Sequence, residues 1–470
     1  MKKLFLYALM LGAITISCRK IEVDGTTVIA NPIDTSNNGG NENTILEGRI
    51  TANRTLSAAK TYKLRGLVYV TNGAILTIEP GTKIVGELGK QGGLIITRSS
   101  KIIADGTADK PIVFTSEATT PARGDWSGLV ILGNAPTNAS FNGVQGVGAV
   151  EGGINNSDNL GLYGTPSTQG QNPADNSGIL RYVRIEYAGY AFLPDNEING
   201  LTLGGVGNGT IIDYVQVSYA NDDSFEWFGG TVNATHLIAY KGLDDEFDTD
   251  NGYSGTVQFG ISIRDSAVAD ISKSNGFESD NDANGSALAP ITTALFSNMT
   301  MVGPLATATS VGNSNYGSGA HLRRNTKQSI YNSVIMGYPT GLLIDGSKGV
   351  PTDLNINTDS LQVQNTTIAG CRTSLKYAPS TTTPTGANIA SITNWFTKTG
   401  TGNQVLDNND DVKLTAPFNY ASPDVTPMAG SPLLGSASFT DAKLSRFTVV
   451  DYRGAVGSGD TWYAGWTSFK

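Results

Sequence analysis

Histidine is nearly missing from this chain. It occurs twice in 470 residues, at His236 and His321, which argues against a histidine-ligated zinc site and against a histidine-based nucleophile system. Cysteine is as scarce, with Cys18 and Cys371 only. No disulfide framework can hold the fold, and Cys371 is expected to serve as a small buried apolar residue. Charge is thin: charged residues make up 16% and the net charge is −9. Nucleic-acid binding, which needs a basic stripe, does not fit that balance. The apolar run at the N-terminus, about 14 residues long, is too short to span a bilayer.

That run belongs to "MKKLFLYALMLGAITISC", where two lysines precede it and small residues lead to Cys18. The layout is that of an export signal over residues 1–17. "TISC" resembles a bacterial lipobox, with Thr15 in place of the usual leucine. Lipid attachment at Cys18 is therefore expected, which makes the membrane a partner. Residues 18–44, including "PIDTSNNGGNENT", are polar and lack hydrophobic periodicity, as a flexible tether should.

Glycine is abundant: 57 residues, against 39% hydrophobic content, indicate many short strands and tight turns. Internal similarity gives the turns an order. "LTIEPGTKIVG" (76–86) aligns with "LIITRSSKIIA" (94–104), "LRYVRIEYAG" (180–189) with "IDYVQVSYAN" (212–221), and "NDDSFEWFGG" (221–230) with "LDDEFDTDNG" (243–252). Offsets of 18, 32 and 22 residues predict a coiled strand solenoid with loops inserted between turns. The expected fold is all-β, a single right-handed parallel β-helix over 45–435. An open solenoid end exposes unpaired backbone, so the segment 436–470, with Trp462, Tyr463 and Trp466, is expected to cap it.

The stretches "GAILTIEPGTKIVG", "ADGTADKPIVFTS", "GDWSGLVILGNAP", "VRIEYAG", "EINGLTLGGVG" and "DYRGAVGSGDTWYAGWTSF" resemble exported right-handed parallel β-helix lipoproteins of Gram-negative bacteria, especially Bacteroidota. The resemblance covers residue 60 to the C-terminus. It implies the pectin-lyase-like fold and an outer-membrane location, and it implies no particular chemistry. Acidic Glu22 and Asp24 behind Cys18 agree with the cell-surface lipoproteins of such bacteria.

The acids are not spread evenly. Aligning Phe225, Phe247 and Phe277 stacks "DDSFEWF", "DDEFDTD" and "NGFESDND". With the phenylalanines inward, alternate residues face out: Asp222, Ser224 and Glu226, then Asp244, Glu246, Asp248 and Asp250, then Glu278, Asp280 and Asp282. Two columns are predicted, Glu226–Asp248–Glu278 and Phe228–Asp250–Asp280. Strands lie about 4.8 Å apart, where two carboxylates repel by roughly 1 kcal/mol in water and about 3 at a partly buried site. Something must offset that cost. Calcium, bound by Asp244, Glu246, Asp248, Asp250, Glu278, Asp280 and Asp282, is the expected cofactor. "DNDANG" (280–285) matches the opening of a calcium loop, but Ile291 stands where an EF-hand has glutamate. A solvated polar turn remains the plainer reading of the same residues.

Catalysis is the other alternative. Asp222, Asp223, Asp244 and Asp245 supply carboxylate pairs for a glycoside hydrolase, and Arg264 is the best-placed base for a calcium-dependent polysaccharide lyase. Arg264 in a surface salt bridge is the competing role. "GAHLRRN" (319–325) lies some 70 residues on, an expected three turns or roughly 15 Å away. An acidic groove also suits an acidic polymer poorly. Trp126 is expected to cover an edge of the helix, while Trp227, beside the columns, is the candidate glycan contact. The balance favours binding or scaffolding at the cell surface, with a polysaccharide or an outer-membrane importer as partner.

Overall fold

The computed structural model describes residues 44–192 and 198–470; the export signal, Cys18 and nearly all of the tether lie outside them. A 26-stranded, wholly parallel sheet winds around one axis as a right-handed β-helix. Each complete turn crosses three faces. Long strands such as Gly178–Glu186 and Ile211–Ser218 serve two faces, because each bends at one residue with positive φ. Short strands such as Leu201–Gly204 and Phe225–Phe228 form the third face.

The bend has its own ladder. Tyr182, Tyr214, His236 and Phe259 hold φ between 48° and 61°, followed by Asn298, Asn332 and Asn365. Left-handed backbone is costly for aromatic residues and cheap for asparagine. The rings offset the cost by stacking on one another, Tyr182 on Tyr214 at 4.4 Å and Tyr214 on His236 at 4.2 Å. One of the two histidines is thus a structural ring in a stack.

Of the internal alignments, those at 32 and 22 residues are true successive turns, with Leu180 beside Ile212 and Phe225 beside Phe247. The 18-residue alignment is not. Leu76 pairs with Ile102, and Lys83 with Val113. The similar stretches occupy different faces of adjoining turns, because each is a strand, a polar corner and a strand.

Inward residues fill a single core: Leu129, Leu201, Phe225, Phe247, Phe277, Ala320 and Leu342 run in register up the third face, each at most 1% exposed. Phenylalanines on adjacent turns stack at 5.5 and 5.7 Å. Trp126, expected at an edge, is instead wholly buried in this core. A Cβ on Gly86 would lie 2.1 Å from its Cβ, so glycine there makes room for the indole.

The aromatic C-terminal segment does not close the solenoid end. It lies along the flank, covering the outward side of the second face, where Ile238, Ile261, Val334 and Met336 meet Val412, Leu433, Ala455 and Trp466. Side-chain amides clamp its backbone. Gln216 both donates to and accepts from Ser468, Gln258 does the same with Thr448, and Asn332 with Ser438. The end of the core is met by helix Ile389–Phe396, started by an Asn388–Ser391 capping box, which buries Ile392 and Phe396 there. Cys371 packs partly buried against the same core, and burial pushes its thiol up to about 12.

Candidate functional site

The third face carries the acids on its outward column. Thr202, Glu226, Asp248, Glu278, His321 and Leu343 stand on successive turns in strict register. The predicted column is present, and it continues into a residue that sequence spacing places far away. Glu278 and His321 are neighbours although 43 positions separate them, because residues 280–317 loop out between their strands. His321, Arg323 and Arg324 belong to the acidic site and not to a turn about 15 Å off.

A second ladder, at the corner entering this face, was not foreseen. Two positions before each phenylalanine stand Asp223, Asp245 and Asn275. Asp223 accepts the backbone N–H of Asp245 at 2.8 Å, Asp245 accepts that of Asn275, and Asn275 accepts that of Ser318 at 2.8 Å. The signal was legible as Asx-x-Phe in three aligned stretches. One oxygen of each aspartate holds the corner, and the acids are thereby drawn into the fold: Asp223 is 7% and Asp245 4% exposed.

Three groups of carboxylates result, each with ligand oxygens mutually within 4.8 Å: Asp222, Asp223 and Asp244; Asp223, Glu226 and Asp248; and Asp245, Asp248 and Glu278. Burial, then the neighbouring acids, hold Asp223, Glu226, Asp245 and Asp248 well above the usual carboxylate range. Burial likewise pushes Asp244 up to about 6 and Asp250 up to about 7. Asp248 Oδ1, Asp244 Oδ1 and the Oδ1 of Asn199, whose amide nitrogen binds Glu226, are buried without partners.

The upper end of the ladder is already neutralised. Arg323 contacts Glu278 and Asp280, the latter through Nε at 2.8 Å, while Arg324 adds a 2.6 Å bond to Asp280. His321 lies 3.6 Å from Glu278 and 3.1 Å from Asp345. Burial opposes ionisation of Glu278, but His321 and Arg323 outweigh it and lower its pKa.

Several predicted site residues are elsewhere. Glu246 is not on the outer face: it precedes strand Phe247–Asp250, outside the alternation, and lies fully buried against Arg264 at 2.9 Å. Arg264 is therefore neither a surface salt bridge nor an accessible base; it also sits 5.0 Å over the Tyr316 ring. Burial lowers its pKa and Glu246 more than restores it. Trp227 cannot contact a glycan, being fully buried between Phe225 and Tyr253. Asp282 closes its own turn by accepting the N–H groups of Asn284 and Ser286, and Asp280 is taken by the arginines. Of the proposed calcium set, Asp244 and Asp248 remain with unpartnered oxygens, Asp250 stands beside them, and Asp222, Asp223, Glu226 and Asp245 join them.

The donor set suits calcium, since carboxylate and amide oxygens are the ligands it takes and no thiol or imidazole intrudes on the lower two groups. No curated protein and no solved structure matches the chain at a significant level. A family model, described as a pectate-lyase-like β-helix domain, matches residues 48–413. With that span covering most of the sequence and the strands wound as described, the chain belongs to the pectate-lyase-like β-helix family.

Proposed function

We propose that this is a lipid-anchored cell-surface β-helix protein with a binding or scaffolding role, whose lower acidic groups hold calcium. The observation that carries the calcium reading is the buried set Asp223, Glu226, Asp245 and Asp248, which lacks the guanidinium contacts that neutralise Glu278 and Asp280. Leaving such charges close together in a partly dry site is costly, and a divalent ion offsets the cost more completely than protonation. Glycan capture is the role we favour, with the ion bridging protein and polymer carboxylates. The location rests on the lipobox-like "TISC" and Cys18.

Calcium is expected to raise the melting temperature of the full chain and a chelator to lower it. Asp248→Asn, made together with Asp223→Asn, removes the difference. No calcium shift in the parent protein sinks this reading.

The enzymatic alternative, a polysaccharide lyase or glycoside hydrolase, loses Arg264 as its base but gains His321, one turn above Glu278. Incubation with acidic and neutral glycans separates the readings: new reducing ends or unsaturated products favour the enzyme, and retention of intact polymer favours binding.

A further inference from the structure

The three carboxylate groups share one chemistry and one spacing, yet they are not equivalent. In the two lower groups, buried acceptor atoms are left without partners: Asp244 Oδ1, Asp248 Oδ1 and, beside Glu226, the Oδ1 of Asn199, a residue only 1% exposed. In the third group Glu278 has no oxygen to spare. Arg323 holds Oε1, while Asn275 donates to Oε2 at 3.2 Å and His321 lies on the same oxygen. Unpartnered acceptors cluster where no guanidinium reaches. The one other arginine buried nearby, Arg264, is consumed by Glu246.

Resting on the calcium reading above, we infer that Arg323 is a tethered counter-ion standing in the place of a cation in the third group, so that it sets how many ions the ladder accepts. A guanidinium is a planar fork of donors with a permanent charge. Bridging Glu278 and Asp280, it supplies both the charge and the hydrogen bonds that an ion would otherwise supply. It is also anchored: Nε and Nη2 both bond Asp280, which Arg324 grips from the other side. The column thus has a cation-accepting lower part and a self-neutralised upper part. The boundary falls between Asp248 and Glu278.

Calorimetric titration of calcium into the full-length protein tests this by counting equivalents. Arg323→Gln is expected to bind one more calcium per chain than the parent, and Arg323→Lys, which keeps the charge, to match the parent. Arg324→Gln touches only Asp280 and is expected to add none. A folded Arg323→Gln protein with the parent's count overturns the inference, as does an equal gain in Arg324→Gln. Where Arg323→Gln fails to fold, Glu278→Gln serves: Glu278 is already spoken for, so the parent's count is kept, and a lost equivalent overturns the proposal. A parent that binds no calcium overturns the calcium reading itself, a separate outcome from a parent that binds calcium with Arg323 playing no part.

Discussion

On the outward column of the third face, Ile95 and Val130 occupy the same place in their turns as Glu226 and Asp248 do in later ones. The lower pair is apolar and buried, at 0% and 1% exposure. The difference comes from the insertion at 133–177. Its Val150, Ile154 and Tyr163 fold back over Tyr69, Ile95 and Val130 as a separate apolar cluster, fastened where Tyr69 donates to Ile154 O at 2.7 Å and Arg98 to Gly164 O at 3.0 Å. Its edge reaches the first acids, with Tyr163 stacked on Phe228 at 5.9 Å. Facing outward is therefore not the same as facing water. In a solenoid, strand alternation decides in from out, and the insertions decide whether out is wet.

The strongest way to break the comparison is to exchange its chemistry. Val130→Asp places a carboxylate under the flap, where it has no arginine beside it, and burying an unpaired charge costs at least about 3 kcal/mol. Asp248→Val makes the opposite change two turns on. It removes a repelled acid from an already buried site and is expected to stabilise the calcium-free protein by about 1–2 kcal/mol. Urea unfolding in chelator reads both. Two losses of similar size mean that the acids are as well accommodated as the apolar residues, and the uncompensated-charge argument then fails.

That exchange also marks what was legible in the sequence. The phenylalanine register and the column Glu226–Asp248–Glu278 follow from aligned repeats and alternation alone, because both depend on nearest turns of nearly constant length. What alternation misses lies at strand ends. Glu246 and Ser224 stand just before their strands, at a corner that turns them inward, where the Ser224 hydroxyl and Arg264 hold the Glu246 carboxylate. Counting turns by an average length fails where a loop as long as 280–317 is inserted, which is why His321 and the two arginines were set too far away. The C-terminal segment was expected at the solenoid end for a sound reason. No local pattern says that the apolar outward residues Ile238, Ile261 and Val334 need covering more.

A smaller effect sharpens the same contrast without any substitution. The apolar half contains nothing that titrates in the acid range, so the pH dependence of stability reports on the acidic half. Asp244 and Asp250, pushed up to about 6 and about 7 chiefly by burial, keep protons in the folded state that the unfolded chain releases near pH 4. The folded state then binds more protons between pH 4 and 7, and stability must fall as pH rises through that window. Asp345 works the other way. Burial raises its pKa, but the hydrogen bonds from His321 and Ser347 bring it down to about 2, so its contribution is complete above pH 4 and is lost as pH falls towards 2. In chelator, the melting temperature is expected to be highest near pH 4–5 and to drop by a few degrees by pH 7.5. Saturating calcium, by favouring the ionised acids, removes the drop on the alkaline side and leaves the acid-side loss in place. A calcium-free protein that grows more stable from pH 5 to 7.5 contradicts the assignment, because its acids would then be better satisfied as anions in the fold than in water.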